Sequence, residues 1–307
     1  MNCIDVGERD RRMTRQNEET ERQRDIRLGK IVFTNVWPVF YGFPPAGLES
    51  RIEVTTRTPT ELNAALSRGE IDVASISSFA YAKHADKLLL LPELSVGAKG
   101  SVGSLFLFTK RPLEEALPER IALATTSATT VHLLKIIMAK RFEFTPTYVD
   151  MSPILDTMMS TCDAALLIGD DAIRASRPAE ARGYHRYDLC TLWTEWTGFG
   201  MTFAVWAVRE AWAAERAQDA ALVHEALLAS KRLGKRLPDD LLDEASRRVG
   251  EDREFWRGYF GGLDYDFGES QRQGLELYFR FAHDLGFLDS APPLRVWRNP
   301  NVTQVNE

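Results

Sequence analysis

Hydroxyl side chains crowd one junction between an apolar run and a helical pattern. The stretch IALATTSATTVHLLKIIMAK, residues 121–140, begins as a buried strand and ends with apolar residues at helical spacing. Five of the six residues from 125 to 130 carry hydroxyls. One Ser or Thr is enough to cap a helix, so the surplus suggests hydrogen bonds to a ligand. The candidates for such contacts are Thr126, Ser127, Ala128 and Thr129.

Two further junctions have the same form. The segment IDVASISSFAY places Ser77 and Ser78 between a strand and a helix, and KIVFTNVWPVF places Thr34 and Asn35 at the end of the first strand. Ligands of open parallel sheets bind at the carboxyl ends of the strands. Helix N-termini there present free N–H groups and a partial positive charge, which suit anions. The GxxxxGKS or GxxxxGKT loop of phosphate sites is absent, so the pattern favours a carboxylate ligand.

Each motif also has a purely structural interpretation. A Ser or Thr at such a junction can serve only as an N-cap, which is worth about 1 kcal/mol. Asp170 and Asp171 in LIGDDAIRAS can act as paired carboxylates in acid–base chemistry, or one caps a helix while the other is solvated. The stretch GAKGSVGS matches no dinucleotide fingerprint. It can turn the amides of Ser101, Val102 and Gly103 into a cleft, or form only a tight bend.

The elements around these motifs indicate an α/β protein. Strands and helices alternate up to about residue 210, and the chain is then almost wholly helical to about residue 290. Two apolar strands, in SLFLFTK and TFAVWAV, bracket an inserted lobe, which predicts a two-lobed clamshell with its cleft at the hinge. The expected organisation is a disordered extension, 1–26, one lobe made of 27–108 and 206–290, a second lobe, 109–205, and an irregular tail, 291–307.

Composition argues against several classes of function. The formal net charge is -6 and no basic stripe with interleaved aromatics occurs, which argues against a nucleic-acid partner. Three widely spaced cysteines and five scattered histidines form no CxxC or HExxH pair, so no metal is expected. The charged N-terminal stretch has no apolar h-region, and no later stretch is apolar over the length of a membrane span. We expect a cytoplasmic protein that binds a small anion and no membrane.

Several segments resemble one enzyme family, in the same order along the chain. They are ASISSFAYAKH, LLLLPELSVGAKGSVGSLFLFTKRPLEE, IALATTSATTVHLLKI, DAALLIGDDA, YDLCTLWTEWTGFGMTFAVWAVR and YFGGLDYDFGESQRQGLELYFRFAHDLGFL. Over roughly residues 27–290 the chain is similar to the chorismate dehydratases of the futalosine route to menaquinone. The most specific segments are TSATT, LIGDDA and EWTG.

The resemblance implies the fold of type II periplasmic solute-binding proteins and an enzyme that uses no cofactor. It implies the conversion of chorismate to 3-[(1-carboxyvinyl)oxy]benzoate and water. In this family the asparagine of an N-x-x-P strand end lies in the active site, and Asn35 to Pro38 match that pattern. The surrounding VFTNVWP departs from the usual form, VNFLNT-x-P, just before and just after the asparagine.

For a dianion such as chorismate, the hydroxyl-rich junctions are the expected binding residues. Ser77 and Ser78 on one lobe and residues 126–129 on the other are expected to receive its two carboxylates through charge-assisted hydrogen bonds. The base that removes the C3 proton is Asp170 or the substrate's own carboxylate, and the neutral character of the clustered residues favours the latter. A non-catalytic solute-binding protein for a small carboxylate and the related naphthoate-forming synthase are the alternatives with the same fold.

Overall fold

Ten strands form two separate sheets in the computed structural model, which describes residues 26–124 and 127–301. In chain order the strands are β1 Ile26–Ile31, β2 Ile52–Arg57, β3 Val73–Ser77, β4 Leu88–Ala98, β5 Leu105–Thr109, β6 Arg120–Ala124, β7 Thr147–Met151, β8 Ala164–Ile168, β9 His185–Asp188 and β10 Met201–Arg209. The first sheet has the order β2-β1-β3-β10-β4 and the second the order β7-β6-β8-β5-β9. Each sheet, with the helices packed on it, forms one lobe.

The two sheets have the same topology. In each, three parallel strands are followed by an antiparallel strand, which is β10 beside β3 in the first sheet and β5 beside β8 in the second. The chain crosses between the sheets at 99–104 and again at 189–200. Both crossings lie a few residues nearer the N-terminus than the lobe boundaries expected from the sequence. Both β5 and β10 are buried along nearly their whole length, so their apolar sequences do not reveal which sheet they join.

Helices cover both sheets and make up most of the C-terminal third of the chain. In chain order they are a 3-10 helix Thr34–Phe40, α1 Pro59–Arg68, α2 Ser78–Lys83, α3 Ala128–Ile136, α4 Leu155–Thr161, α5 Asp170–Ala181, α6 Leu189–Thr197, α7 Glu210–Glu215, α8 Ala217–Gly234, α9 Asp239–Val249, α10 Arg253–Gly262 and α11 Glu269–Asp284. A π-helical turn, Ile137–Arg141, extends α3.

Local signals determine both ends of α1. The Thr58 side chain accepts a hydrogen bond from the Glu61 N–H, and the Glu61 carboxylate accepts one from the Thr58 N–H, which completes a capping box. Pro59 occupies the first turn, where its missing N–H costs nothing. Gly69 ends the helix with a φ of 76°, a conformation that favours glycine.

The segment after β1 differs from its sequence-based prediction. Thr34 and Asn35 were expected at the end of the first strand, whereas the strand ends at Ile31 and both residues belong to the 3-10 helix that follows, with Pro38 inside it. Ile26, the last residue of the expected extension, belongs to β1. The rest of that extension, 1–25, lies outside the described residues, as do 302–307.

The C-terminal helices connect the two lobes. α11 contacts β10 and α2 of the first lobe and α3 of the second. The residues after α11 lack regular structure, as expected, but they pack along the edge of the first sheet. There the Leu90 N–H donates to the Arg295 carbonyl, and the Trp297 N–H donates to the Leu90 carbonyl, each at 2.8 Å. The described part of the tail therefore covers the free edge of β4.

The close approach of α11 to the second crossing segment requires a glycine at position 274. A Cβ on Gly274 would lie 2.1 Å from the carbonyl oxygen of Gly200. We predict that Gly274→Ala lowers the free energy of unfolding by about 1–3 kcal/mol through overpacking. Gly258→Ala on α10 is the control, because no atom lies within 4 Å of its Cβ position. There Ala should stabilise the helix by up to about 1 kcal/mol. Urea unfolding measures both, and equal stabilities would contradict the close approach.

Candidate active site

A small cavity lies between the two sheets, where β1, β3 and β8 end. Ile31, Ser77 and Ile168, the last residues of these strands, line it. The cavity volume is about 30 Å³, which is room for about two water molecules. Its polar lining consists of Asn35, Ser77, Ser104, Ser127 and Thr130, and none of the described lining residues is Lys, Arg, His, Asp or Glu. The cavity therefore offers only neutral hydrogen-bonding groups.

The 3-10 helix after β1 places Asn35 at the cavity wall. Its neighbours Thr34 and Val36 are fully buried, which fixes the backbone on both sides. The Oδ1 atom of Asn35 is itself buried and has no hydrogen-bond partner among the described residues. Leaving such an oxygen unpaired costs about 1–3 kcal/mol. An unpaired amide oxygen at a cavity wall is suited to accept a hydrogen bond from a ligand.

Of the two serines expected at the β3–α2 junction, only Ser77 faces the cavity. Its Oγ accepts hydrogen bonds from the Ala80 N–H at 3.2 Å and from Asn63 Nδ2 at 3.4 Å. Because both bonds are accepted, the hydroxyl hydrogen is left to donate to a ligand. Ser78 instead donates to the Thr202 carbonyl at 2.8 Å, and it does not line the cavity.

The start of α3 supplies hydroxyls that are not used as caps. Ser127 occupies the N-cap position, but its side chain makes no capping hydrogen bond. Its Oγ lies 3.3 Å from Thr130 Oγ1, and both residues line the cavity. The Ala128 carbonyl lies 2.8 Å from Nδ1 of His132, within the helix. Thr126, also expected at this site, lies outside the described residues.

Thr129 joins the lobes instead of facing the cavity. Its Oγ1 accepts a hydrogen bond from the Phe79 N–H of α2 at 3.0 Å. Its carbonyl accepts a hydrogen bond from the Tyr278 hydroxyl of α11 at 3.1 Å. Thr129, which was expected to bind the substrate, is fully buried and does not line the cavity.

The Asp188 carboxylate binds donor groups of Ser101, Val102 and Gly103 in the first crossing segment, which were candidates for binding the substrate. Its Oδ2 accepts hydrogen bonds from the Ser101 hydroxyl at 2.9 Å and from the N–H groups of Val102 at 3.0 Å and Gly103 at 2.7 Å. Its Oδ1 accepts two more from N–H groups at the start of α6. These three residues thus hold the hinge, and their donors are turned away from the cavity.

Successive residues of this crossing segment face opposite sides. Val102 and Ser104 line the cavity, whereas Ser101 and Gly103 line a separate groove of about 800 Å³. Ser104, which ends the glycine-rich stretch GAKGSVGS, was not among the residues expected at the site. Its local sequence gives no signal, because the segment bends at Gly103, where φ is 73°, and is not a strand. Ser104 is 1% exposed, and its Oγ accepts a hydrogen bond from the Tyr259 hydroxyl at 3.0 Å.

Asp170 connects the lobes at the start of α5. Its Oδ1 accepts hydrogen bonds from the Thr34 N–H at 3.2 Å and from Thr34 Oγ1 at 2.5 Å. Both residues are buried, and Asp170 does not line the cavity. Asp171 points elsewhere and forms an ion pair with Arg174 at 3.3 Å. The two aspartates therefore have separate partners, and the structure does not arrange them as a catalytic pair.

Comparison with known proteins identifies the family. A family model described as menaquinone biosynthesis matches residues 26–284. The chain belongs to this family. One relative is the chorismate dehydratase of Thermus thermophilus, which is 34% identical over 272 residues, 84% of this chain and 94% of the relative. The family resemblance expected from segments such as TSATT and LIGDDA is confirmed.

Solved structures show the same fold as this family member. A crystal structure from Archaeoglobus fulgidus has a TM-score of 0.65 at 21% identity, over 86% of this chain and 98% of that one. The periplasmic aliphatic sulphonate-binding protein of Escherichia coli has a TM-score of 0.63 at 14% identity, over 92% and 94%. At these identities the likeness shows the fold alone, and it confirms the predicted α/β fold of periplasmic binding proteins.

Within residues 26–124 and 127–301, no helix has both the length and the apolar character needed to cross a bilayer. In the same part of the chain, no group of three or more His, Cys, Asp or Glu side chains is placed so that it could hold a metal ion.

Packing between α2 and α3 determines the protonation state of His132. Its ring stacks on Phe79 with centroids 3.7 Å apart and planes inclined by 9°, and Phe287 packs edge-on at 5.2 Å. Burial lowers the pKa of His132 to about 4, although its hydrogen bond with the Ala128 carbonyl favours the charged form. The imidazole is therefore neutral at pH 7.

This depressed pKa predicts a loss of stability in acid. Between about pH 6.5 and pH 4 the unfolded chain binds a proton at His132 that the folded chain does not, so stability falls as the pH falls. His132→Phe keeps an aromatic ring against Phe79 and removes the titration. We expect the stability of the unsubstituted protein relative to this variant to fall by ~2 kcal/mol from pH 7.5 to pH 4.5. Urea unfolding at several pH values measures this difference, and a constant difference would contradict the burial of His132.

Proposed function

We propose that the chain is a chorismate dehydratase, which eliminates water from chorismate to give 3-[(1-carboxyvinyl)oxy]benzoate in the futalosine route to menaquinone. The observation that carries this proposal is the buried, unpartnered Oδ1 of Asn35 in a cavity lined by neutral hydroxyls. The relationship to the Thermus thermophilus dehydratase supports the same reaction.

The cavity lining suits a dianion such as chorismate, which has a ring carboxylate and an enolpyruvyl carboxylate. Ser77 and Ser104 supply hydroxyl donors from the first lobe and the crossing segment, and Ser127 supplies one from the second lobe. Each hydrogen bond to a carboxylate contributes about 1.5–3 kcal/mol. The start of α3, a helix of nine residues, adds a partial positive charge at the same wall. Two carboxylates can thus be bound without a Lys or Arg.

Binding requires the lobes to separate. A cavity of about 30 Å³ is far smaller than a substituted six-membered ring, so the structure represents a closed arrangement. Opening breaks the hydrogen bonds between Thr34 and Asp170, and closing restores them once side chains of the cavity wall have moved to make room for the substrate. Closure removes bulk water from the reacting groups, which strengthens their electrostatic interactions with the protein.

The absence of ionisable side chains from the described cavity lining determines which group can act as the base. Because no described lining residue is a carboxylate or an imidazole, the substrate's own enolpyruvyl carboxylate removes the C3 proton. The electrons of the C3–H bond form the C3–C4 double bond and the C4–O bond breaks. The departing hydroxide takes the proton from the enolpyruvyl carboxylic acid, which leaves water and restores the carboxylate. Asn35 contacts this C4 hydroxyl, with Nδ2 donating to the oxygen and Oδ1 accepting its hydrogen. The protein positions and polarises the substrate while aromatisation drives the reaction.

Incubation of the purified protein with chorismate tests this function. We expect an aromatic ultraviolet spectrum to develop and the product mass to be lower than that of chorismate by one water molecule. A solute-binding protein would bind chorismate and leave its spectrum unchanged, and the naphthoate-forming synthase would not convert chorismate. Either of these results with folded protein would overturn the proposal.

The Asn35→Asp variant tests, in the same assay, whether Asn35 belongs to the active site. Aspartate serves nearly as well as asparagine in a turn, so a purely structural residue would tolerate it. At the cavity wall the substitution removes a donor and sets a negative charge against a dianion. Turnover should then fall by at least about a hundredfold, or roughly 2.7 kcal/mol, with the melting temperature nearly unchanged. Normal turnover would remove Asn35 from the active site.

Asp170→Asn and Thr34→Val distinguish a catalytic base from a contact between lobes. Because Asp170 bonds to Thr34 and does not line the cavity, we expect both variants to lower kcat by a similar factor of about ten or less, through weaker closure. Steady-state kinetics of the two variants measure this. A loss of about a thousandfold in Asp170→Asn alone would instead identify Asp170 as the base.

A further inference from the structure

The Ser104 hydroxyl lies at the cavity wall, and a residue outside the cavity, Tyr259, forms a hydrogen bond with it. Its Oγ accepts a hydrogen bond from the Tyr259 hydroxyl at 3.0 Å, and both side chains are buried. Within the described residues, Ser104 Oγ donates to no other group. A serine hydroxyl has one hydrogen, so once its oxygen accepts from Tyr259 that hydrogen remains to donate to a ligand.

Aromatic packing at the hinge holds Tyr259 in place. Its ring lies with its centroid 5.4 Å from the rings of Trp256 and of Phe260, and it stacks on Phe255 at 6.2 Å. On its other side is the backbone of the crossing segment, where a Cβ on Gly103 would lie 3.3 Å from the Tyr259 ring. The phenolic oxygen therefore has little freedom to leave Ser104.

Tyr259 keeps its phenolic hydrogen and can therefore donate it to Ser104. Burial raises the pKa of the Tyr259 phenol, although its bond to Ser104 acts in the opposite sense. The negative charges of Asp170 and Asp188 raise it further. The phenol thus stays protonated around neutral pH and keeps the hydrogen that it donates to Ser104.

We propose that Tyr259 is a positioning residue, which orients the Ser104 hydroxyl so that its hydrogen points at a carboxylate of the bound substrate. The proposal rests on the proposed function, because it takes a dianion as the ligand. Tyr259 does not itself line the cavity. It belongs to α10, which lies outside both sheets, so the C-terminal helices contribute to recognition of the substrate as well as to packing.

Tyr259→Phe tests the proposal because it removes one oxygen and keeps the ring. We expect KM for chorismate, and the Kd measured by calorimetry, to rise about tenfold through loss of one oriented hydrogen bond to a charged group. The kcat value should stay within about twofold, since the bond is present in ground state and transition state alike. Ser104→Ala should give the same rise, and the double variant should show no further rise.

Tyr265→Phe is the matched control. Tyr265 is also fully buried, its hydroxyl has no partner among the described residues, and it does not line the cavity. Both KM and kcat of this variant should equal those of the unsubstituted protein.

Three results would overturn the role of Tyr259. They are a fall in kcat at unchanged KM and Kd, unaltered kinetics and affinity, or independent, additive effects of Tyr259→Phe and Ser104→Ala. If the unsubstituted protein binds chorismate but forms no product, the proposed function fails and the Kd comparison still decides the role of Tyr259. If it neither binds nor converts chorismate, both proposals fail.

Discussion

The carboxylate of Asp188 holds together the two chain segments on which the cleft depends. It accepts three hydrogen bonds from the first crossing segment and two from the start of α6 in the second. Because both crossings meet at one side chain, β5 and β10 leave the hinge in defined directions, and the strand ends of the two sheets face each other. The positions of Val102 and Ser104 at the cavity wall follow from the same hydrogen bonds.

Where the polar groups would gather was predictable from the sequence. Ser77, Asn35 and Ser127 stand at junctions between apolar strands and helices, and the carboxyl ends of parallel strands must meet at one edge of a sheet. The helix α1 was equally predictable, because the residues that begin and end it, Thr58, Pro59 and Gly69, lie within about a dozen positions of one another. Such features depend on neighbours in sequence, which the chain itself displays.

Which hydroxyls remain free for a ligand was not predictable, because the deciding partners are distant in sequence. Ser78 donates to a carbonyl 124 residues away, and Thr129 accepts from an N–H 50 residues away. Like Ser77, both residues stand at a junction between a strand and a helix, so their local sequence does not show that Ser77 alone stays open to the cavity. Ser104 was missed for the same reason, since its partner Tyr259 is 155 residues further along the chain.

The tail that follows α11 has a consequence for the protein outside its catalytic cycle. β4 is the outermost strand of the first sheet, and its start, Leu88–Leu91, is a run of four leucines. Backbone groups on an uncovered strand of this kind can pair with the same strand of another molecule, which is how many aggregates begin. Arg295 and Trp297 of the same chain form hydrogen bonds with the carbonyl and the N–H of Leu90, which are then no longer available to another molecule: the Arg295 carbonyl accepts from the Leu90 N–H, and the Trp297 N–H donates to the Leu90 carbonyl. An irregular segment thereby makes this part of the edge strand unavailable for pairing with another molecule.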